Sequence, residues 1–315
     1  MAVTLLAERE RRQPIVPSNS APDSGQHAQN MPGQSTPVTP KLAATVMLLR
    51  EGERGMEVFV QQRVGTMKFA AHQTAFPGGR VDPRDYEPHA ESAVGSEWAA
   101  RLDTELNTAV ALTLAAVRET FEETGTLLTR NARGEIIVDT HPFATQREQL
   151  TKHELAFSQF LSDTQLRIDT ELLRYWSNWI TPKENPIRFD THFFLAEMPD
   201  GAHADGNTTE AAITRWARPS DLLTAWKNDE ISLMPPTWSQ IKRLADFDSV
   251  ANVMEFARTV PVSRTSSDFF DSEFMVEYFE KIPRSSLAAM GGKGTSNPLN
   301  KGAHGANSRS ATDGN

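Results

Sequence analysis

The stretch from Ala109 to Gly125 constrains this chain more than any other. Its middle reads Arg118-Glu119-Thr120-Phe121-Glu122-Glu123, set among Ala and Leu and closed by Gly125. These are mostly good helix formers, ending in the residue that most readily adopts a left-handed cap. At about 100° per residue, Glu119, Glu122 and Glu123 fall within an arc of roughly 100° on one face of the predicted helix. Leu114, Val117 and Phe121 recur at spacings of three and four, with Phe121 about 200° around from Glu119. One face can therefore anchor in a core while the other presents carboxylates. Clustered carboxylates repel one another unless a cation neutralises them, and oxygen donors of this kind suit hard divalent ions such as Mg²⁺ or Mn²⁺. Arg118 stands four residues before Glu122, the spacing of a same-face ion pair that orients a carboxylate. A solvated surface helix carries similar glutamates. What favours a site is the upstream Pro77-Gly78-Gly79 turn, whose backbone leaves room for a metal or phosphate to approach.

Composition narrows the chemistry further. The chain contains no cysteine, so a disulfide framework, a Cys-ligated metal and a thiol nucleophile are all excluded. Forty-one acidic against 32 basic residues leave a net charge of -9, which opposes bulk nucleic-acid binding and makes a cation the natural intermediary for any polyanionic substrate. The longest apolar run, Leu42 to Leu49, covers eight residues, against about 20 needed to span a bilayer. No membrane association is expected. The N-terminal residues lack the long apolar region of a secretory signal, and the C-terminus lacks a Ser-Lys-Leu address, so the expected location is the cytoplasm.

For 315 residues the length prior is roughly two domains of about 150, or one large domain with unstructured ends. The second fits the local composition. Residues 1–40 and 285–315 are rich in Pro, Ser, Gln, Asn and Gly without apolar period, and are expected to be disordered tails around a domain at 41–284. Leu42 to Arg50 and Met56 to Arg63 read as a hairpin, followed by a short strand at Thr74 to Phe76. A helix is expected at Glu148 to Leu161, strands at Arg188 to Met198 and Ile213 to Ala217, and helices at Pro219 to Trp226 and Pro236 to Arg258. Trp176 and Trp179 are spaced as on a helix packed against the core. This mixture implies an α+β sandwich with a mixed sheet.

The two halves of the acidic region together resemble the signature of the Nudix hydrolases. Gly79 is followed six positions later by an acidic residue, Asp85, and then by Arg118-Glu119-x-x-Glu122-Glu123-x-Gly125. The sequence departs from the family pattern at Asp85, where Glu is usual, and at Thr120 and Thr126, where aliphatics are usual. Residues 86 to 117 also make 32 intervening positions where the pattern has seven, an excess of 25. The region therefore divides into a loop at 78–85, an insertion at about 86–110 and a helix at about 109–125, and an insertion of this kind is tolerated in a loop. Such a split is similar to the acyl-coenzyme A diphosphatase branch. Phe76-Pro77-Gly78-Gly79-Arg80-Val81-Asp82, Trp98, Trp179-Ile180-Thr181-Pro182 and Arg188-Phe189-Asp190-Thr191-His192-Phe193-Phe194 agree with that branch. The resemblance implies an α/β/α Nudix sandwich, enlarged by insertions, over about residues 42 to 260. An upstream coenzyme A pattern is matched only partly, with Arg63 in place, Lys68 for a second Arg and His72 at a Gly position.

The resemblance implies Glu119, Glu122, Glu123 and the Gly79 carbonyl as ligands of Mg²⁺ or Mn²⁺, with Arg118 orienting them. Glu122 is the first choice of general base and Glu210 the second, while Arg63, Lys68 and Arg188 are candidates for substrate phosphates. His72 and His192 read as structural. The implied reaction is hydrolysis of coenzyme A or an acyl-coenzyme A to 3′,5′-ADP and a 4′-phosphopantetheine. ADP-ribose, NADH or a capped RNA end are alternative substrates of the same chemistry, and a non-catalytic nucleotide-binding module is a third reading, disfavoured because all three glutamates are retained. A small-molecule nucleotide is the expected partner, and a homodimer is left open. The insertion, with Glu91, Glu97, Trp98, Arg101 and Leu102, is expected to form a short amphipathic helix serving as lid, interface or packing.

Overall fold

The computed structural model describes residues 38–64, 72–87, 94–183, 185–206, 211–259, 264–265 and 273–289. In chain order the strands and helices are β1 (Lys41–Gly52), β2 (Gly55–Arg63), β3 (Thr74–Ala75), β4 (Gly78–Arg80), α1 (Ser96–Arg101) and α2 (Leu106–Thr124). Next come β5 (Thr129–Arg130), α3 (Ala144–Thr151), α4 (Phe157–Thr164), β6 (Arg167–Ile168), β7 (Arg174–Ile180) and β8 (Phe189–Glu197). The last are β9 (Ala211–Ala217), α5 (Pro219–Lys227), α6 (Pro235–Leu244), α7 (Val250–Thr259), β10 (Arg264–Thr265), α8 (Glu273–Lys281) and α9 (Arg284–Ala289). Most of both expected tails lies outside the described residues, and α9 crosses the expected boundary at 284.

Both faces of the central sheet are buried, which is why its strands read as nearly continuous apolar runs. Along β1, Ala44, Val46 and Leu48 enter one core while Met47 and Leu49 enter the other. Phe59 of β2 and Phe194 of β8 join the first core, and Val58, Val60, Phe193 and Leu195 join the second, following the period of two of a pleated strand. The sheet runs β10-β7-β8-β1-β2-β3, with β4 also on β1 and β9 also on β2. β1 and β8 are parallel while β1–β2 and β7–β8 are antiparallel, so the sheet is mixed, as the sequence implied. α2 covers the first face, and α6, α7 and α8 contribute to the second core, giving an α/β/α sandwich of the α+β class.

α2 begins at Leu106, slightly before the expected start, and ends on Gly125, which donates its N–H to the Phe121 carbonyl and, with a φ of 73°, turns the chain out of the helix. Phe121 is fully buried and stacks on Phe160 at 5.7 Å. Burying such a ring contributes about 1.5–3 kcal/mol, and it fixes which side of α2 faces away from the core.

Three expectations are corrected here. The helix expected at Glu148 to Leu161 is two helices, α3 and α4, separated by a turn in which His153 takes a φ of 57°. The one expected at Pro236 to Arg258 is likewise broken, at Ala245 to Ser249, where polar Asp246, Asp248 and Ser249 interrupt the apolar period. Trp176 and Trp179 lie on strand β7, not on a helix. A bulge between Tyr175 and Ser177 shifts the register; both indoles enter the second core, imitating helical spacing.

The insertion packs against the body of the protein. Trp98 of α1 donates its indole N–H to Thr113 Oγ1 at 3.0 Å and stacks against Phe194 at 6.3 Å. Leu102 is fully buried. Of the three roles considered for this segment, packing is the one these contacts serve; Glu91 lies outside the described residues.

Candidate active site

β4 lies antiparallel to β1, with Ala44 opposite Gly79 and Thr45 opposite Gly78. α2 packs across both strands, so the glycine turn and the acidic face of the helix meet over one end of β1. Gly78 donates its backbone N–H to Glu123 Oε2 at 2.8 Å, and Gln61 of β2 donates its Nε2 to the same oxygen at 2.8 Å. Glu123 is the most deeply placed of the three, 3% exposed. Gly79 stands so close to Glu119 that a Cβ there would collide with the carboxylate. Only glycine leaves that carboxylate its place.

Arg118 organises the cluster. Its Nε and Nη2 hold Asp85 in a fork at 3.1 and 3.0 Å, Nη2 also donates to the Arg80 carbonyl, and Nη1 reaches Glu119 at 2.8 Å and Glu122 at 3.1 Å. Burial pushes the guanidinium pKa down, but the Glu119, Asp85 and Glu122 carboxylates outweigh this and hold it above its ordinary value. Asp85 is 2% exposed and closes a short 3₁₀ turn, Pro83–Tyr86, by accepting the Asp82 N–H at 2.8 Å. It therefore ties the glycine loop to α2 across the insertion that separates them in sequence.

Glu119, Glu122 and Glu123 line a cavity of about 560 Å³, together with Arg118, Gly78, Gly79, Arg63, Arg80 and His153. No group of three or more His, Cys, Asp or Glu side chains among the described residues is already gathered as a metal cage. The donor set still fits Mg²⁺ or Mn²⁺, because such ions are ordinarily held by one or two carboxylates, with waters and substrate phosphates completing the shell. The Glu119 carboxylate itself fills the place a Cβ on Gly79 would take, which sets it directly against the backbone of the glycine loop.

The remaining candidates separate clearly. Arg63 lines the cavity. Arg188 does not: it is buried and donates to the carbonyls of Thr181, at 3.0 Å, and Val38, at 2.6 Å. Its place is that of a clamp at the start of β8, which corrects the expectation that it contacts phosphate. Lys68 and Glu210 lie outside the described residues. His72 is exposed with a φ of 62°, a left-handed conformation that glycine favours, which accounts for a Gly position being filled by a residue that keeps the backbone shape. His192 is buried, its Nδ1 2.9 Å from the Tyr175 hydroxyl. In the sequence Asp85 stands out only as a departure from pattern, and Gln61 is marked only as a polar residue following the apolar run Val58-Phe59-Val60.

At the mouth of this region Asp82 pairs with Arg84 at 3.1 Å. The Arg84 hydrogen bond lowers the Asp82 pKa from 3.8 to about 2. A carboxyl with a lowered folded-state pKa stabilises fully above its unfolded value and loses that contribution as pH falls through the folded one. Asp82→Asn is accordingly expected to lower the unfolding midpoint at neutral pH, with the difference from the parent shrinking between pH 4 and 2. Parallel urea melts across that range measure it.

With this geometry in view, relationships to known proteins decide the family. Residues 87–244 match the family described as the NUDT19 Nudix domain. The chain belongs to the Nudix hydrolases. This Nudix chain is 29% identical over 158 residues to acyl-coenzyme A diphosphatase NUDT19 of Homo sapiens, covering 47% of the chain and 42% of that protein. It is 28% identical over 188 residues to the protein of the same name from Gallus gallus, covering 51% and 50%. The matches thus span half or less of those two relatives. The crystal structure of a NUDIX hydrolase from Alicyclobacillus acidocaldarius is 31% identical, with 69% of this chain and 96% of that one covered and a TM-score of 0.58. No helix among the described residues is long and apolar enough to cross a membrane.

Proposed function

We propose that this Nudix chain hydrolyses the diphosphate linkage of coenzyme A or an acyl-coenzyme A, releasing 3′,5′-ADP and the corresponding 4′-phosphopantetheine. The observation that carries the hydrolytic reading is the cavity walled by Glu119, Glu122 and Glu123 beside the glycine turn. The names of the human and chicken relatives support the choice of substrate.

Glu119, Glu122 and Glu123, with the Gly79 carbonyl, are the groups that would hold Mg²⁺ or Mn²⁺. When bound, such an ion offsets the charge of the diphosphate and acidifies water. Arg118, locked to Asp85, fixes Glu119 and Glu122 relative to the glycine loop. Glu122 lines the cavity and serves as the base, taking a proton from the attacking water. The water oxygen bonds to one phosphorus as the bond from that phosphorus to the bridging oxygen breaks, and the bridging oxygen leaves on the other phosphate. Arg63, at the cavity wall, is placed to contact a phosphate oxygen.

The test is chromatographic identification of products from coenzyme A, an acyl-coenzyme A, dephospho-coenzyme A, ADP-ribose, NADH and a capped RNA, each with Mg²⁺ or Mn²⁺. The expected result is 3′,5′-ADP from the first two, with kcat/KM at least about 10-fold above the others, a discrimination of about 1.4 kcal/mol. Preferred cleavage of ADP-ribose or NADH would move the substrate assignment. Nucleotide binding without any cleavage would make the chain a binding module.

A further inference from the structure

A second cavity, of about 490 Å³, adjoins the carboxylate cavity. The two share Thr45, Arg63, Gly78, Phe189 and Thr191 in their walls, so they adjoin across the end of β1. Their chemistries differ sharply. Trp179, Pro182, Ile187, Phe193, Met234 and Pro236 give the second cavity an apolar lining, and among the described residues lining it Arg63, at the junction, is alone in carrying charge. Its size falls within the roughly 300–1,000 Å³ of pockets that hold organic ligands. Phe193 and Trp179 are nearly fully buried, whereas Ile187 is 47% exposed at the rim.

An apolar chamber adjoining the carboxylate cavity suits a substrate with one charged and one uncharged half. Coenzyme A derivatives are of that kind. On one side of the diphosphate lies a phosphorylated nucleoside, which would bring further negative charge into a chamber whose described lining carries Arg63 as its one cation. On the other side lies an uncharged aliphatic amide arm, extended in the esters by an acyl chain. Burying a phosphate among prolines and aromatic rings is costly, while burying methylenes is favourable.

We propose that this apolar chamber is an acyl-arm subsite that makes the protein select acylated over free coenzyme A, with Ile187 at its rim a specificity-determining residue. This inference rests on the coenzyme A reading above. The chain enters past Ile187 and lies against Trp179 and Phe193, leaving the diphosphate beside Arg63 and the carboxylates. The phosphorylated nucleoside then occupies the charged side, where Arg80 and His153 line the first cavity.

The experiment measures two quantities for the intact protein and for Ile187→Asp. One is calorimetric Kd in the presence of EDTA for coenzyme A, its acetyl, octanoyl and palmitoyl esters, and 3′,5′-ADP. The other is kcat/KM for the same thioesters with Mg²⁺. In the parent protein, affinity is expected to rise by about fourfold for each further methylene until the chamber is filled. Because Ile187 is exposed, Asp there is compatible with folding, which circular dichroism checks. The variant is expected to lose at least about 10-fold more affinity for the octanoyl ester than for 3′,5′-ADP, since a charge at the rim opposes burial of the chain. Turnover of coenzyme A with no dependence on chain length would overturn the chamber assignment and leave the hydrolytic reading standing. Binding that strengthens with chain length, without turnover, would overturn the hydrolytic reading and support the chamber. A loss in the variant confined to 3′,5′-ADP would put the nucleoside in the chamber and overturn the assignment.

Discussion

Glu122→Gln is expected to give a folded protein whose turnover with Mg²⁺ is at least about 100-fold below that of the parent, and as much as about 10⁴-fold below, the usual worth of a positioned proton acceptor. The substitution keeps the side chain's size and a carbonyl oxygen that can still accept from Arg118 Nη1, now 3.1 Å from Glu122 Oε1. What it removes is the negative charge and the capacity to take a proton. Stability should accordingly change little while kcat collapses, and a steady-state assay beside a thermal melt separates the two effects. Near-parental turnover in a folded variant would remove Glu122 from the mechanism and shift attention to Glu210.

Arg118→Met carries the largest expected effect on stability. Arg118 and Asp85 are almost completely enclosed, with side-chain exposures of 7% and 2%, so removing the guanidinium strands a carboxylate and frees Glu119 and Glu122 to repel each other. Breaking a buried pair in this one-sided way costs about 3–5 kcal/mol. A urea titration should show a correspondingly lower midpoint. Adding Asp85→Asn to Arg118→Met should recover part of the loss, because the stranded charge is then gone, and the double-mutant cycle gives the coupling directly. Simple additivity of the two substitutions would mean that Arg118 acts as an isolated surface charge, contrary to its five hydrogen bonds.

The legible parts of this molecule are those governed by local period and local chemistry. The β1–β2 hairpin follows from two apolar runs around a Gly-containing turn, and α2 from an apolar stripe, an acidic stripe and a terminal glycine. The illegible parts depend on partners distant in sequence. Arg188 is a plausible phosphate ligand by charge alone, yet Val38, 150 positions away, and Thr181 take up its guanidinium. Trp176 and Trp179 have helical spacing because a β-bulge puts both on one face of a strand. Asp85 looks like a weakened motif residue until the fold brings it 33 positions along the chain to Arg118. Gln61 reads as an ordinary strand residue until α2 lays Glu123 over it. The apolar chamber draws on residues from β1 through α6, and no local pattern encodes it.

The proposed function turns on the carboxylates of α2 binding the divalent ion on which diphosphate cleavage depends. Its most direct test is the rate of 3′,5′-ADP release from coenzyme A as a function of Mg²⁺ or Mn²⁺ concentration, for the parent and for Glu119→Gln/Glu123→Gln. The expected result is no release in EDTA, saturable activation in the parent, and in the double variant a curve displaced to at least about 10-fold higher metal concentration with a lower plateau, because ligand charge has been removed. Release that persists in EDTA, or a metal dependence identical in parent and variant, would contradict it.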